Sequence, residues 1–166
     1  MALLGQAVTI ADTTGAIEPA VVARSWMARA YLQLNDAAAA LAVTAGKRAL
    51  TYPLEEPAMR LLEGLALLEL NRPGESAQAF SSALAAADDL LTLADRNVAA
   101  LEMQALALSG LAVVTGDQAR AAEAAQAFAR ARAVTRAPGV VADTRRLLGI
   151  VTAHDHSGIL ATLDAD

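Results

Sequence analysis

The chain has 166 residues, of which 55% are apolar and five are aromatic, and it carries a formal net charge of −5. That length is enough for one domain with a sizeable core, and the acidic balance argues against general binding of polyanions such as nucleic acid. With no Cys, neither disulfides nor a thiol nucleophile enter the reading. Ala and Leu dominate and β-branched alternation is scarce, a composition that predicts an all-α chain of closely packed helices. Arg outnumbers Lys twelve to one, which together with abundant Ala points to a GC-rich bacterial coding sequence.

In chain order, Ala2 to Ala11 reads as a short apolar helix leaving through Asp12-Thr13-Thr14-Gly15. No basic region precedes its apolar residues, so a signal peptide is not expected. Ile17 to Leu34 carries Val21, Val22, Trp26, Met27, Ala30 and Tyr31 and stops at Asn35-Asp36, where Asn tolerates the left-handed conformation and Asp can cap the next helix. Ala37 to about Thr51 is that helix, Ala-rich and ending at Tyr52-Pro53.

The next helix, about Glu55 to Leu70, is apolar on more than one face and must be buried on most sides. Gly64 stands in its middle, where Gly costs about 1 kcal/mol against Ala, so a close helix approach is expected there. Asn71 ends it, Pro73 opens its partner, and Ser76, Phe80, Ala83 and Leu84 give that partner a packing edge. Asp88-Asp89 and Asp95 blur the next boundary, placed near Leu91, after which a helix runs to Thr115. Gly116-Asp117 repeats the stop and cap, Gln118 to about Arg136 is the partner, and Pro138-Gly139 breaks it. Val140 to about Ala153 forms another helix and Ser157 to Leu163 a last short one. The longest uncharged run, Met103 to Gly116, is too short to span a bilayer, so a soluble cytoplasmic protein is expected.

Ala30 to Asp36 (AYLQLND) matches Ala66 to Arg72 (ALLELNR) in character at an offset of 36, and the third turn comes about 45 residues later. Periods of this size mark stacked helical hairpins, each burying its apolar face against its neighbours. The small and bulky residues at fixed steps, Met27-Ala28-Tyr31, Glu63-Gly64-Leu67 and Leu108-Ser109-Ala112 in first helices, and Ser76-Phe80-Ala83 and Ala121-Ala125-Phe128 in second helices, resemble the tetratricopeptide repeat family over about Val21 to Pro138. The chain departs from the family at Glu63, which is not apolar, at Trp26, two residues beyond the family's Trp, and after Leu84, where the closing Pro is missing. The resemblance is nearest to the longer repeats of bacterial signalling ATPases and transcriptional regulators.

It implies one domain of stacked antiparallel hairpins forming a right-handed α-solenoid: residues 1–16 a partial hairpin or cap, 17–53, 54–91 and 92–137 three repeats, and 138–166 capping helices. It further implies a concave groove lined by Trp26 and Arg29, by Leu61, Leu65, Leu68 and Glu69, and by Met103 and Leu106. A groove so apolar would be an aggregation liability if bare, so another chain, a peptide helix or the chain's own Val140 to Ala153 must fill it. The function implied is a protein-protein or peptide interaction module, the sensing or regulatory arm of a larger signalling or transcriptional regulator. The alternative is a structural oligomerisation domain whose groove holds its own carboxy-terminal helix or a second copy.

Chemistry is thinly represented. His154-Asp155-His156 is the one histidine cluster, and it reads better as a solvated helix exit than as a metal site short of further ligands. Ala45-Gly46-Lys47-Arg48 lacks the earlier Gly and the succeeding Ser or Thr of a phosphate loop. No enzyme activity, metal or cofactor is expected. Charge is uneven, since Gln118 to Arg146 holds six basic and two acidic residues against seven and thirteen before it.

Overall fold

The computed structural model describes residues 2–14, 17–44, 52–161 and 163, and among them it contains eight helices and no strand. They are α1 (Ala2–Thr14), α2 (Ile17–Gln33), α3 (Ala37–Thr44), α4 (Glu56–Glu69), α5 (Pro73–Leu93), α6 (Val98–Thr115), α7 (Gln118–Val134) and α8 (Pro138–Ala153). The all-α class read from composition is what the chain adopts. The expected continuation of α3 to Thr51, and the Ala45 to Arg48 stretch, lie outside the described residues.

Three of the turns are built alike. Asn35, Asn71 and Gly116 take positive φ of 56°, 54° and 69°. In each turn the next residue's amide reaches back to a carbonyl five residues earlier, Asp36 to Tyr31, Arg72 to Leu67 and Asp117 to Ala112. That closure satisfies carbonyls a helix end leaves orphaned. The succeeding helix is then capped or primed locally: Asp36 accepts from the Ala39 amide at 3.0 Å, Asp117 from the Ala119 amide at 2.9 Å, and Pro73 begins α5. Such side-chain caps contribute about 1 kcal/mol each.

Three boundaries differ from expectation. The helix expected to break near Leu91 runs on to Leu93, because Asp88 and Asp89 face solvent, where a carboxylate does not disturb a helix. The helix expected to follow Leu91 directly starts only at Val98, where Asn97 caps α6 by accepting from the Ala100 amide at 3.1 Å. Pro138 and Gly139 open α8 instead of lying outside it, as Pro suits a first turn. After α8 the chain turns without forming the expected short helix. Asp155 accepts from the Ile159 and Leu160 amides at 3.0 and 2.8 Å, and Leu160 returns to the core.

Each helix from α1 to α7 packs on its sequence neighbour, and α2, α4 and α6 also pack successively on one another. The tightest point lies in the notch between α4 and α6. Phe80 of α5 is fully buried there between two glycines: a Cβ at Gly64 would lie 2.6 Å from Phe80 Cδ1, and one at Gly110 2.5 Å from Phe80 Cε2. Ser76, one turn before Phe80, donates to the Gly64 carbonyl at 2.9 Å and anchors α5 at the same spot. The close approach expected at Gly64 is therefore made by an aromatic ring.

α8 departs from the neighbour-on-neighbour order. It packs on α6 and on α4, and its Leu147, Leu148 and Val151 join Leu61, Leu65, Leu68, Met103 and Leu106 in one apolar core.

Gly64→Leu should cost about 1–3 kcal/mol in denaturant unfolding, and Gly64→Ala should be harmful in the native background yet close to neutral beside Phe80→Ala, because the clash is with that ring. Equal costs in both backgrounds would place the clash elsewhere. A second test concerns the turn after α8. Burial alone would raise the Asp155 carboxyl, but hydrogen bonds from Leu160, Ile159, Ser157 and Gly158 outweigh it and hold it below the ordinary value. A depressed folded-state carboxylate contributes stability above its unfolded pKa that is lost as pH falls through the folded one. Relative to the intrinsic exchange rate at each pH, the protection of the Ile159 and Leu160 amides should therefore fall on acidification, and Asp155→Asn should show no such acid step.

Candidate functional site

The residues implied as groove lining fall into two groups. Leu61, Leu65, Leu68 and Leu106 lie in the apolar core that Leu147, Leu148 and Val151 of α8 join, and Met103, at 8% exposure, borders the cleft between α2, α6 and α8. The four leucines are not available to an outside partner in this arrangement. Trp26, Arg29 and Glu69 reach the surface at the two ends of α8. Glu69 Oε1 lies 3.3 Å from Nε2 of His154, where α8 ends. Arg29 donates to Asp143 in the first turns of α8 at 2.5 Å, with its guanidinium 5.7 Å from the ring centre of Trp26.

Trp26 is 55% exposed although it is the largest side chain in the sequence. It forms the lip of a cleft of about 550 Å³ between α2, α6 and α8. Val98, Met103 and Val140 supply apolar wall, and Arg29, Asp143 and Arg146 the polar rim. Arg146 stands 3.6 Å from Asp143, its side chain 59% exposed. A second lobe of about 320 Å³ shares Trp26, Arg29, Asp143 and Arg146 and runs toward Gln33. Burial raises the Glu55 carboxyl, opposed by the Arg29 charge and a hydrogen bond from Ser25.

Beneath the cleft lies a buried ionic cluster. Arg132 of α7 donates through Nη1 and Nη2 to the two carboxylate oxygens of Glu102 in α6 at 2.6 and 3.2 Å, both side chains being only 4% exposed. The Thr144 hydroxyl of α8 donates to the same carboxylate. One carboxylate thus joins three helices, and both of its oxygens accept from protein donors. A buried charge persists only when paired in this way. Sequence reading missed this cluster, although a signal was present: Glu102 is the one charged residue from Val98 to Thr115. A lone carboxylate in so apolar a helix requires a cation from elsewhere.

By length and composition α6 could cross a membrane, but 67% of it is buried inside the protein, so its apolarity is that of a central core helix. The uncharged run from Met103 to Gly116 understated its length because Glu102, neutralised in place, interrupts it. His154, Asp155 and His156 do not converge: Asp155 holds the turn after α8 and His154 faces Glu69. Among the described residues no three acidic or histidine side chains are grouped as metal donors.

Arg132→Met alone should destabilise the fold by about 3–5 kcal/mol, since it strands a buried carboxylate, whereas Arg132→Met with Glu102→Leu should recover most of the loss. Thermal or denaturant unfolding of the single and double variants measures this; an additive double variant would contradict it. No protein-family model matches the chain, and comparison with curated proteins and with solved structures finds no match either, so function has to be read from the site itself.

Proposed function

We propose that the chain is an interaction module of stacked, tetratricopeptide-like helical hairpins whose binding face is the apolar row on α4 and α6. The observation that carries this is the placement of α8. It does not continue the array by pairing with α7 but lies on α6 and α4. That face thus takes a helix, and α8 is the occupant supplied by the chain itself.

The partner is then a protein segment with the chemistry of α8: an amphipathic helix with adjacent leucines and a Val at the spacing of Leu147, Leu148 and Val151, and an acid four residues ahead to meet Arg29. In such a module the bound partner displaces α8, and release of that helix is the signal. This suits the regulatory arm of a larger bacterial signalling or transcriptional protein working in the cytoplasm. Oligomerisation is the second reading, favoured by Leu3 and Ile10, which are exposed on α1 at the opposite end of the array. Molar mass in solution at two concentrations separates the two.

A fluorescein-labelled peptide of residues 138–153 tests the binding face. Added to the full chain it should bind weakly, because α8 competes in cis. Added to full-length Leu148→Asp it should bind at least ten-fold more tightly, since the resident helix is loosened. Asp143→Ala, which loosens only the first turns of α8, should give a smaller gain in the same direction. Circular dichroism confirms that each variant keeps its helices, and equal affinity for native chain and helical variants would overturn the reading.

A further inference from the structure

The cleft between α2, α6 and α8 borders the helix-binding face at Met103 and takes a different ligand. We infer that it is a binding site for a small organic anion, an aromatic or branched aliphatic body bearing one carboxylate. Its volume of about 550 Å³ falls within the range of small-ligand sites, and its composition has their pattern of apolar walls with a few convergent polar groups.

The sign of the ligand is set by the charges around it. Glu102 lines the cleft, but its charge is matched by Arg132 and its Oε2 already accepts from both Arg132 and Thr144, so it is a poor partner for a cation. At the rim two guanidinium groups, Arg29 and Arg146, share one carboxylate, Asp143. Glu55 is not among the residues that line the cleft, and burial raises its carboxyl against the opposing Arg29 charge. The first turns of α6 and α8 both open on the same space, at Val98 and at Gly139 and Val140, and add the positive ends of two helix dipoles. Nothing lies within 4 Å of where a Gly139 side chain would be, so a ligand can approach the backbone there. Trp26, Val98 and Met103 meanwhile reject a small hydrated ion and favour an apolar body.

Such a ligand touches α2, α6 and α8 together and so favours the seated position of α8. Its binding does not depend on whether an outside helix can replace α8, and the two readings can fail separately.

Trp26 is the sole Trp of the chain, so its emission reports on the cleft directly. The full-length protein is titrated with 3-phenylpropionate and with 3-phenylpropionamide, which differ in charge and hardly in shape, by Trp26 emission and by calorimetry. The acid should bind at least ten-fold more tightly than the amide. Arg146→Glu should abolish that preference without changing the unfolding midpoint, because the side chain is mostly in solvent. Trp26→Ala, studied by calorimetry, should weaken acid and amide alike. Equal binding of acid and amide, no binding at millimolar concentration, or a preference that survives Arg146→Glu would each overturn the assignment.

Discussion

The structure depends on one steric constraint, the seating of the Phe80 ring against two backbones that have no side chain to offer. Gly64 and Gly110 stand on α4 and α6, and each leaves less than 3 Å between a notional Cβ and the ring. This sets how closely α5 enters the notch between α4 and α6 and thereby the spacing of those two helices. Ser76 fixes the rotation of α5 at the same level by its bond to the Gly64 carbonyl. Because interiors are close-packed and do not deform smoothly, the position of α4 relative to α6 is inherited by whatever lies across both of them. The element that does so is α8.

α8 is attached by polar contacts of different strength. In its middle, Thr144 shares the Glu102 carboxylate with Arg132 in a water-excluded cluster. At its start Asp143 meets Arg29 in a part-buried pair, and at its end His154 meets Glu69 where solvent has access, a pair of the kind that contributes little. Burial of Leu147, Leu148 and Val151 supplies the main attraction, about 1.5–3 kcal/mol for each side chain fully removed from water, and the buried carboxylate sets the register. The helix is thus well placed without being clamped at its carboxyl end. The segment before it, from Thr135 to Ala137, is extended, with no left-handed closure of the kind that ties the three earlier turns.

Much of the fold was legible because its signals are local. Asn35, Asn71 and Gly116 announce left-handed closures by residue type alone, and Asp36, Asp117 and Pro73 announce the helices that come next. Gly64 announced a close approach, although not the ring that makes it, since the partner of a glycine is a long-range fact. The break after α5 was misplaced because Asp88 and Asp89 read as an interruption, and only the packing of α5, which leaves both in solvent, shows that the helix continues past them. The site was less legible. Trp26 and Arg29 were named and lie together, but Asp143 and Arg146 join them only because α8 folds back, and nothing local in Pro138 to Ala153 encodes which helices it will cover. The five apolar residues named with them proved to be core for the same reason.

The central claim, that α8 is an occupant of a face organised by the Phe80 contact and separable from it, is tested most directly by native-state hydrogen exchange resolved along the chain. Amides in the middle of α4, α5 and α6 should exchange only through global unfolding. Those of α8 should exchange through a smaller opening whose free energy is clearly lower and insensitive to low concentrations of denaturant. If α8 instead shared the protection and denaturant dependence of α4 to α6, it would be part of the same cooperative unit, and a face that it can vacate would not exist.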